Sequence, residues 1–456
     1  MIKKWMKKLF NQKVQAGKRA PDVLPYGSHK IARDSLSFAA EKVIKRLQAE
    51  GYEAFVVGGA VRDLLLGIEP KDFDVATNAK PEEVHKVFRR SRIIGRRFKI
   101  VHVMVGPETI EVTTFRGGDV QTQNEQGRIM KDNTYGTQME DALRRDFTCN
   151  ALYYNPKTQE ILDYHDGVAD IKAKRLVMIG DPAERYKEDP VRIMRAARLS
   201  AKLGFTLAPK TQAPIAAQAS LLAQEPPARL FDELLKLLFS GNAQACLKRL
   251  DELGVQRDVF PLLQAVLGQD ENNPFVTIAL ESTDQRLREQ KPVSVGFLLA
   301  SLLWQPVYEK WQAYLAEGQK SVPALAAAMA DVQDSLDHRF SVPRRFSATM
   351  REIWLMQPQF EARVGNRPFR LLAQNRFRAA YDFLLIRAQV GEVPQELADW
   401  WTQFQKANGD EQVQMIKDAP NGQTRAAAPK RRRRKPSGAQ KSATRGAPQQ
   451  AGQRHD

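Results

Sequence analysis

Cysteine is scarce in this sequence: Cys149 and Cys246 are the only two among 456 residues. Two thiols argue against a disulfide framework and against a cysteine-rich zinc site. The six histidines do not cluster at the spacing of metal ligands, so we expect no second, hydrolase activity. No G-x-x-x-x-G-K-[ST] motif occurs, which argues against a P-loop ATPase.

Long apolar runs are also missing. No run approaches the roughly 18 apolar residues that a membrane-spanning helix needs. The first ten residues, MIKKWMKKLF, lack the apolar segment and the small-residue cleavage site of a secretory signal. The sequence therefore predicts a cytoplasmic protein without a transmembrane segment. The mixed lysines and apolar residues of that start allow at most weak contact with an anionic membrane surface.

Positive charge is abundant, and it lies at the two ends of the chain. Residues 1–30 carry eight Lys and Arg against one Asp, and residues 425–456 carry ten against one Asp. These ends therefore hold all but one unit of the net charge of +17. Basic segments attract polyanions over long distances and gain free energy from counterion release. We therefore expect nucleic acid as a partner.

The hydrophobic pattern changes along the chain. Residues 35–50 have a helical period, after which apolar, β-branched runs predict a mixed sheet with short helices; the runs are residues 54–57, 73–77, 100–105 and 109–115. Beyond about residue 185 the pattern is helical. From residue 410 onward no aromatic residue occurs and Ala, Pro, Gln, Gly and Arg dominate, so we expect a disordered tail.

A glycine turn and a carboxylate pair stand close together in FVVGGAVRDLLLGIEPKDFDVAT, residues 55–77. Gly58 and Gly59 end an apolar strand and begin a helix, which lets backbone N–H groups approach a phosphate. Asp72 and Asp74 are spaced to share one face of the adjoining strand. Two such carboxylates repel unless a cation lies between them, and hard oxygen ligands hold Mg²⁺ or Mn²⁺ together with substrate phosphates. The alternative is an ordinary turn followed by an exposed acidic pair.

Metal ions held in this way can assist the transfer of a nucleotide to an RNA 3′-hydroxyl, and that mechanism usually uses a third carboxylate. Glu111, on a neighbouring predicted strand, and Asp146, in DALRRDFTCNALYY, are the two candidates. The residues alone leave this choice open, since Glu111 also suits a strand-edge salt bridge and Asp146 a helix-capping pair. Arg144 and Arg145 beside Asp146 suit phosphate or ribose because guanidinium matches phosphate oxygens bidentately.

A third motif is YKEDPVRIMRAARLSAKLGF, residues 186–205. Glu188 and Asp189 precede a helix start at Pro190, and the arginines at 192, 195 and 198 recur every third residue along one face. Fixed carboxylate and guanidinium groups can select a nucleotide base without a template. The alternative is an acidic N-terminal cap with a solvated basic face.

In this order the motifs resemble the family that unites bacterial tRNA nucleotidyltransferases with bacterial poly(A) polymerases. The resemblance rests on GGAVRDLLLG, KDFDVAT, EVTTFRGG, RRDFTCNALYY, DYHDGVADIKAKRL and EDPVRIMRAARLSAKLGF, and covers roughly residues 40–260. It implies an α+β fold with a polymerase-β-type nucleotidyltransferase head. The expected divisions are a weakly ordered basic segment 1–34, the head 35–184, a helical neck 185–265, a helical body 266–408 and a disordered Arg/Lys-rich tail 409–456.

The resemblance also implies roles for individual residues. Metal ligands are expected at Asp72 and Asp74, and Asp146 is favoured over Glu111 as the further catalytic carboxylate. Groups near the triphosphate and ribose are expected at Gly59, Arg62 and Arg145, next to Gly58 of the glycine turn. Asp189 and Arg192 would read the base, with Arg195 supporting the phosphates. The implied substrates are ATP and RNA 3′ ends.

IIGRRFKIVHVMVG, residues 93–106, resembles the poly(A) branch of the family. The basic tail also suits an enzyme that binds many unrelated RNA 3′ ends, whereas one tRNA shape can be recognised by fit. We therefore expect AMP addition from ATP. CCA addition to tRNA is the alternative within the family, and an RNA-binding adaptor with an inactive head is the alternative outside it. RNA-decay or RNA-chaperone proteins are further expected partners, through the tail.

Overall fold

The computed structural model describes residues 20–95, 99–117, 122–123, 129–131, 134–255, 263–264, 273–337 and 342–420. The predicted basic start, the Gly-Arg-Arg-Phe stretch after Ile94 and the Arg/Lys-rich tail beyond residue 420 lie partly or wholly outside these residues. No helix in the described part of the chain is long and apolar enough to cross a membrane.

The first half of the chain builds a mixed sheet with short helices, as the sequence predicts. Its strands are β1 (Asp22–Leu24), β2 (Ala54–Val57), β3 (Asp74–Thr77), β4 (Ser91–Ile94), β5 (Ile100–Val105), β6 (Glu108–Thr114), β7 (Thr122–Gln123), β8 (Ile129–Lys131), β9 (Leu152–Asn155), β10 (Glu160–Asp163) and β11 (Arg175–Leu176). Its helices are α1 (Tyr26–His29), α2 (Phe38–Ala49), α3 (Gly59–Leu65), α4 (Pro81–Val87), α5 (Gln138–Arg144) and α6 (Gly167–Lys172).

Eight of these strands form one sheet in the order β1-β10-β9-β2-β3-β6-β5-β4. The central pair β3 and β6 is parallel, while the other neighbours are antiparallel. Fully apolar strands such as β2, AFVV, are buried on both faces of this centre. Helix α2 covers one face, and its N-terminus is capped by Ser37, whose side chain accepts from the backbone N–H of Ala40.

The second half is helical, apart from strand β12 (Thr206–Leu207), which pairs with β11. Its helices are α7 (Pro182–Glu188), α8 (Val191–Leu203), α9 (Pro209–Gln212), α10 (Ile215–Gln218), α11 (Pro227–Leu238), α12 (Ala243–Glu252), α13 (Pro274–Arg288), α14 (Val295–Leu302), α15 (Trp304–Ala316), α16 (Ser321–Asp337), α17 (Arg344–Met356), α18 (Arg367–Leu372), α19 (Phe377–Gln389), α20 (Gln395–Phe404) and α21 (Gly409–Asp418). One hydrophobic cluster runs from the sheet into these helices, and a second joins α17 to α21. The predicted α+β class is confirmed.

Two predicted boundaries are wrong. Residues 20–34 were expected to be weakly ordered, yet β1 pairs with β10 and the His29 ring packs edge-on against Tyr154. The predicted disordered tail contains α21, which has a capping box between Asn408 and Glu411 and a buried Ile416. In both segments a few apolar side chains reach a core formed by distant residues, and local composition does not reveal that contact.

Candidate active site

The glycine turn connects β2 to α3, as predicted. Gly58 has φ 78° and ψ −130°, a conformation that residues with a Cβ rarely adopt. A Cβ there would also lie 3.4 Å from a terminal guanidinium nitrogen of Arg145. At Gly59 the nearest atom to an added Cβ would be a guanidinium nitrogen of Arg62, at 3.5 Å. The turn therefore brings the backbone close to two arginines.

Arg62, on the helix that follows the turn, is buried. Its Nη1 donates to Oδ1 of Asn150 at 2.6 Å, and its Nε and Nη2 donate to Oδ1 of Asp63 at 2.9 and 2.7 Å. These bonds join α3 to the segment before β9. Arg62 therefore links the helix after the glycine turn to the residues that lead into β9.

Asp74 is the first residue of β3, opposite Val57 on β2 and Glu111 on β6. Phe73 is buried in the main core, so the acidic residues on either side of it project away from that core. Asp72 is exposed and precedes the strand. The prediction that both aspartates lie on the strand is therefore wrong for Asp72, because strand pairing starts one peptide beyond Phe73.

The carboxylates crowd one another. Burial, followed by the charge of Glu111, raises the pKa of Asp74 to about 6, with a smaller contribution from Asp72 and an opposing one from Arg145. The Nε2 of His102 lies 3.2 Å from Oε1 of Glu111. The repulsion among Asp72, Asp74 and Glu111 is relieved when a hard divalent cation binds beside them. These carboxylate oxygens therefore fit Mg²⁺ or Mn²⁺. Among the described residues no group of three or more His, Cys, Asp and Glu forms a complete metal site.

A cleft of about 310 Å³ opens in front of Asp74. It combines five acidic residues with six arginines, and its lining is Val57, Asp74, Glu111, Thr113, Arg116, Asp141, Arg144, Arg145, Asp146, Arg185, Asp189, Arg192 and Arg195. Six of the ten predicted site residues are thus brought together: Asp74, Arg145, Asp146, Asp189, Arg192 and Arg195. The other four, Gly58, Gly59, Arg62 and Asp72, are not part of this lining.

Arg145 directly follows α5 as its C-cap and is held by two partners on the cleft wall. Its Nε and Nη2 donate to Oδ2 of Asp141 at 3.3 and 3.1 Å, and its Nε also donates to the Tyr153 hydroxyl at 3.1 Å. The Tyr153 hydroxyl in turn donates to Asp141 at 2.6 Å. This network orients a guanidinium group close to Asp74 before any substrate binds.

Asp146 has both carboxylate oxygens engaged. Its Oδ1 accepts from the backbone N–H of Phe147 and the side chain of Asn150, and its Oδ2 lies 2.7 Å from Nη2 of Arg195. Burial favours the neutral form, but the charge of Arg195 and these hydrogen bonds hold the pKa of Asp146 well below its usual range. Asp146 therefore joins the head to α8, whereas Glu111 stands directly beside Asp74.

Asp189 directly follows α7 and Arg192 lies in the first turn of α8, and both are held by neighbours. Arg229 on α11 donates from one nitrogen to both oxygens of Asp189, at 3.0 and 3.1 Å. Arg192 donates from Nη1 to the carbonyl of Arg185 at 2.7 Å and to Glu188 at 3.2 Å. An acidic and a basic side chain are thus presented together in the cleft with little rotational freedom.

The sequence pattern does not single out several residues that line the cleft or hold its side chains, among them Asp141, Tyr153, Arg185, Arg229 and Glu233. The sequence does contain a signal for Asp141, because it stands four residues before Arg145, the spacing at which side chains pair along a helix. Arg229 and Glu233 lie on α11, far from the motifs in sequence. Glu233 is buried and bonds Nε of Arg198 at 2.6 Å. Only the folded chain brings such partners together.

Comparisons with known proteins cover most of the chain. Three family models match: "Poly A polymerase head domain" over residues 54–177, "Probable RNA and SrmB- binding site of polymerase A" over 204–267 and "Polymerase A arginine-rich C-terminus" over 317–437. A crystal structure of the Bacillus stearothermophilus CCA-adding enzyme in complex with CTP is 26% identical, with a TM-score of 0.51 over 80% of this chain and 81% of that one. A tRNA nucleotidyltransferase complexed with a primer tRNA and an incoming ATP analog shares the fold at 21% identity and a TM-score of 0.52. Fold and cleft together define a nucleotidyltransferase.

Curated relatives narrow the class. Poly(A) polymerase I of Haemophilus influenzae is 41% identical over 87% of this chain and 91% of its own. Poly(A) polymerase I of Escherichia coli is 42% identical over 91% of each chain. A CCA-adding enzyme of Latilactobacillus sakei is 33% identical over 64% of this chain. The chain belongs to the poly(A) polymerase I family.

Proposed function

We propose that this protein adds AMP units from ATP to RNA 3′ ends without a template, releases pyrophosphate and thereby promotes RNA turnover. One observation carries the proposal: poly(A) polymerase I relatives are 41–42% identical over about nine tenths of the chain, whereas the CCA-adding relatives match 45–64% of it. Because ATP and RNA are its substrates, we assign it to the cytoplasm.

The carboxylates at the start of β3 provide the metal-binding part of the site. We assign Asp72 and Asp74 as ligands, because their crowding fits a divalent cation. Mg²⁺ or Mn²⁺ bound there would activate the RNA 3′-hydroxyl and stabilise the leaving pyrophosphate. As the third carboxylate we now favour Glu111, since it pairs with Asp74 across the parallel strands. Asp146, the catalytic carboxylate favoured from the family resemblance, is then a positioning residue for Arg195.

The arginines of the cleft bind the triphosphate. Arg145 is oriented by Asp141 and Tyr153, and Arg195 by Asp146, so neither pays the full entropy of ordering when ATP arrives. Gly58 and Gly59 allow the backbone N–H groups at the start of α3 to approach a phosphate. Arg62 supports this turn through Asn150. The chain thus supplies positive charge where negative charge develops during transfer.

Asp189 and Arg192 select the base. The edge of adenine offers an amino donor and a ring nitrogen acceptor, which a fixed carboxylate and a fixed guanidinium complement. Arg229 and Glu188 hold these two side chains in place, so a base with another donor and acceptor pattern leaves a buried polar group unsatisfied. Selection against GTP and UTP therefore needs no template.

The deciding experiment offers purified full-length protein two RNAs, an unstructured oligoribonucleotide and a tRNA that lacks its CCA end, with each nucleoside triphosphate supplied separately. We expect long tails on the oligoribonucleotide with ATP alone. Efficient CTP use confined to the tRNA would assign the protein to CCA addition instead. RNA binding without transfer under any metal condition would support the adaptor alternative.

A matched set of variants tests the carboxylate assignments. Asp74→Asn and Glu111→Gln should each lower kcat by more than about a hundredfold, the range that loss of a group stabilising the transition state produces. Asp146→Asn should mainly raise the KM for ATP, because it loosens Arg195. The opposite result would return the third-carboxylate role to Asp146. In that case Asp146→Asn would lose as much kcat as Asp74→Asn, while Glu111→Gln would stay near wild type.

The ends of the chain complete the proposal. We assign general RNA capture to the Arg/Lys-rich tail, and RNA-decay or RNA-chaperone proteins as its further partners. Its density of charge, KRRRRKP at residues 430–436, supports this assignment. The tail and most of the basic start lie outside the described residues.

A further inference from the structure

The head carries a second depression, on the face of the sheet opposite the cleft. Val57 and Ala76 point toward the small apolar cluster near the cleft, whereas Val56, Val75 and Val103 pack on the other face, in the cluster that includes α2. On this second face a groove of about 870 Å³ lies between α2, the residues that follow α4 and the end of β5. The sheet therefore separates the groove from the substrates.

The floor of the groove is apolar. Its apolar lining consists of Phe38, Ala49, Val87, Phe88, Val103, Met104 and Val105. Phe38 is 72% exposed, more than any other large apolar side chain among the described residues. A contiguous apolar surface of this kind on a folded head is a feature of interaction sites.

The rim of the groove is basic. It carries Lys42, Lys45, Arg46, Arg89 and Arg90 against one acidic residue, Glu41. Lys45 is paired with Glu41 and Arg46 with Glu50, both at 2.7 Å. Among the described residues no ion pair is formed by Lys42, Arg89 or Arg90, and the Lys42 ammonium lies 5.6 Å from the centre of the Phe38 ring. Three cations thus remain to meet negative charge on an occupant.

The dimensions of the groove suit a short helix. Residues 38, 42, 45, 46 and 49 recur at intervals of about four along one side of α2, whose 12 residues extend over about 18 Å. An apolar floor with charged margins is the pattern that receives an amphipathic helix. The two ends of this chain do not suit it, because residues 1–30 and 425–456 are both strongly basic.

Single-stranded RNA suits the groove less well than a peptide does. RNA sites of this kind stack bases on exposed aromatic rings. Here the lining holds two rings, and Phe88 is partly buried against the main core. The remaining floor is aliphatic, which would desolvate phosphates and sugars without offering hydrogen bonds.

We propose that this groove is a docking site for an acidic amphipathic helix of a partner protein, with the helix's apolar side against Phe38 and Val105 and its carboxylates against Lys42, Arg89 and Arg90. Docking there leaves the active-site cleft open, so the partner and the RNA bind at the same time. The site is distinct from the cleft.

The test uses a stapled helical peptide of about 12 residues, the length of three turns, with leucines on one side and glutamates on the other. Its affinity for the full-length protein is measured by fluorescence anisotropy. We expect saturable binding that weakens about tenfold in Phe38→Ser/Val105→Ser and in Arg89→Glu/Arg90→Glu. Primer extension with ATP should stay at the wild-type rate in both variants, which also shows that they fold.

Matched controls are Val322→Ser, an exposed apolar residue elsewhere, and Lys320→Glu/Lys417→Glu, which changes charge equally; both should bind the peptide like wild type. A peptide with lysines in place of the glutamates should not bind. Equal binding of both peptides, or an affinity unchanged in both groove variants, would overturn the proposal. So would displacement of the peptide by oligo(A), which assigns the groove to RNA. A dimer that dissociates in Phe38→Ser/Val105→Ser would overturn it in favour of a second copy of the chain.

Discussion

At the scale of single residues, the active site is organised by repulsion among its carboxylates and by arginines that neutralise them. The pKa of Asp74 is about 6 because burial and Glu111 disfavour its charged form. The folded, metal-free protein therefore holds a proton on Asp74 more tightly than the unfolded chain does. Ionisation of this group costs stability as pH rises from near its ordinary value of 3.8 through 6.

Asp74→Asn should accordingly raise the Tm of the metal-free protein above pH 6 and leave it unchanged below pH 4. We expect a gain of about 1 kcal/mol, small because Asp74 is only partly removed from water and the solvent that still reaches its carboxylate screens part of the effect. Thermal unfolding in EDTA across this pH range measures it. Asp232→Asn, an exposed change on α11, should show no such pH dependence. A Tm difference that persists unchanged at pH 4 would contradict the assignment.

Arg229 provides a second test at this scale. Because it holds both oxygens of Asp189, Arg229→Met should free that carboxylate to rotate. We expect the KM for ATP to rise about tenfold with little change in kcat, and the preference for ATP over GTP to fall. Steady-state kinetics with each nucleotide measure the split. Arg249→Met, which removes an exposed bridge to Glu252, serves as control and should keep both values.

At the scale of elements, the turn between β2 and α3 is a point of backbone constraint. Gly58→Ala forces a Cβ into a φ of 78° and against Arg145. We expect a loss of about 2 kcal/mol in the free energy of unfolding, typical of a strained backbone position. Urea denaturation measures it. Gly409→Ala, where an added Cβ meets nothing within 4 Å, should be close to neutral. Equal stability of the two variants would show that the turn tolerates a side chain.

Helix α21 is the other element whose role the structure changes. Its Ile416 is buried, Met415 packs against the second core cluster and Ala419 is 2% exposed. Ending the chain after residue 407 should therefore lower the free energy of unfolding by about 2 kcal/mol, because apolar surface of the core becomes exposed to water. Ending it after residue 420 should leave the denaturation midpoint unchanged. If both truncations unfold like the full chain, the helix does not stabilise the core.

At the scale of the whole molecule, charge and chemistry are separated. The excess positive charge lies in the ends, whereas the cleft balances five acids against six arginines. Deleting residues 425–456 should reduce the slope of log affinity against log salt by about 0.7 for each phosphate of single-stranded RNA that the tail neutralises in the full-length protein. Binding titrations at several salt concentrations measure the slope. Replacing the same Lys and Arg by Gln should have an equal effect, because the slope depends on charge rather than length. An unchanged slope would show that the tail does not bind RNA.

The sequence by itself determined the class of the fold, the strands that carry the motifs and the family. Those features depend on local signals: a period of two or 3.6 residues, a glycine turn, and acidic and basic residues at fixed spacing. Six of the ten predicted site residues lie in one cleft, because these local signals mark the strands and helices that line it. That residues 22–24 form β1 and residues 409–418 form α21 was not predictable, because distant apolar contacts stabilise both elements.

Only the tertiary structure determined which partners the side chains of the site contact. It placed Glu111 beside Asp74 through a parallel strand pair, and it tied Asp146 to Arg195 and Asp189 to Arg229 through helices remote in sequence. Ion pairs between such residues depend on the distances that folding creates, and no spacing in the chain encodes those distances. The same holds for the groove on the back of the head, whose apolar floor and basic rim come from three separate segments.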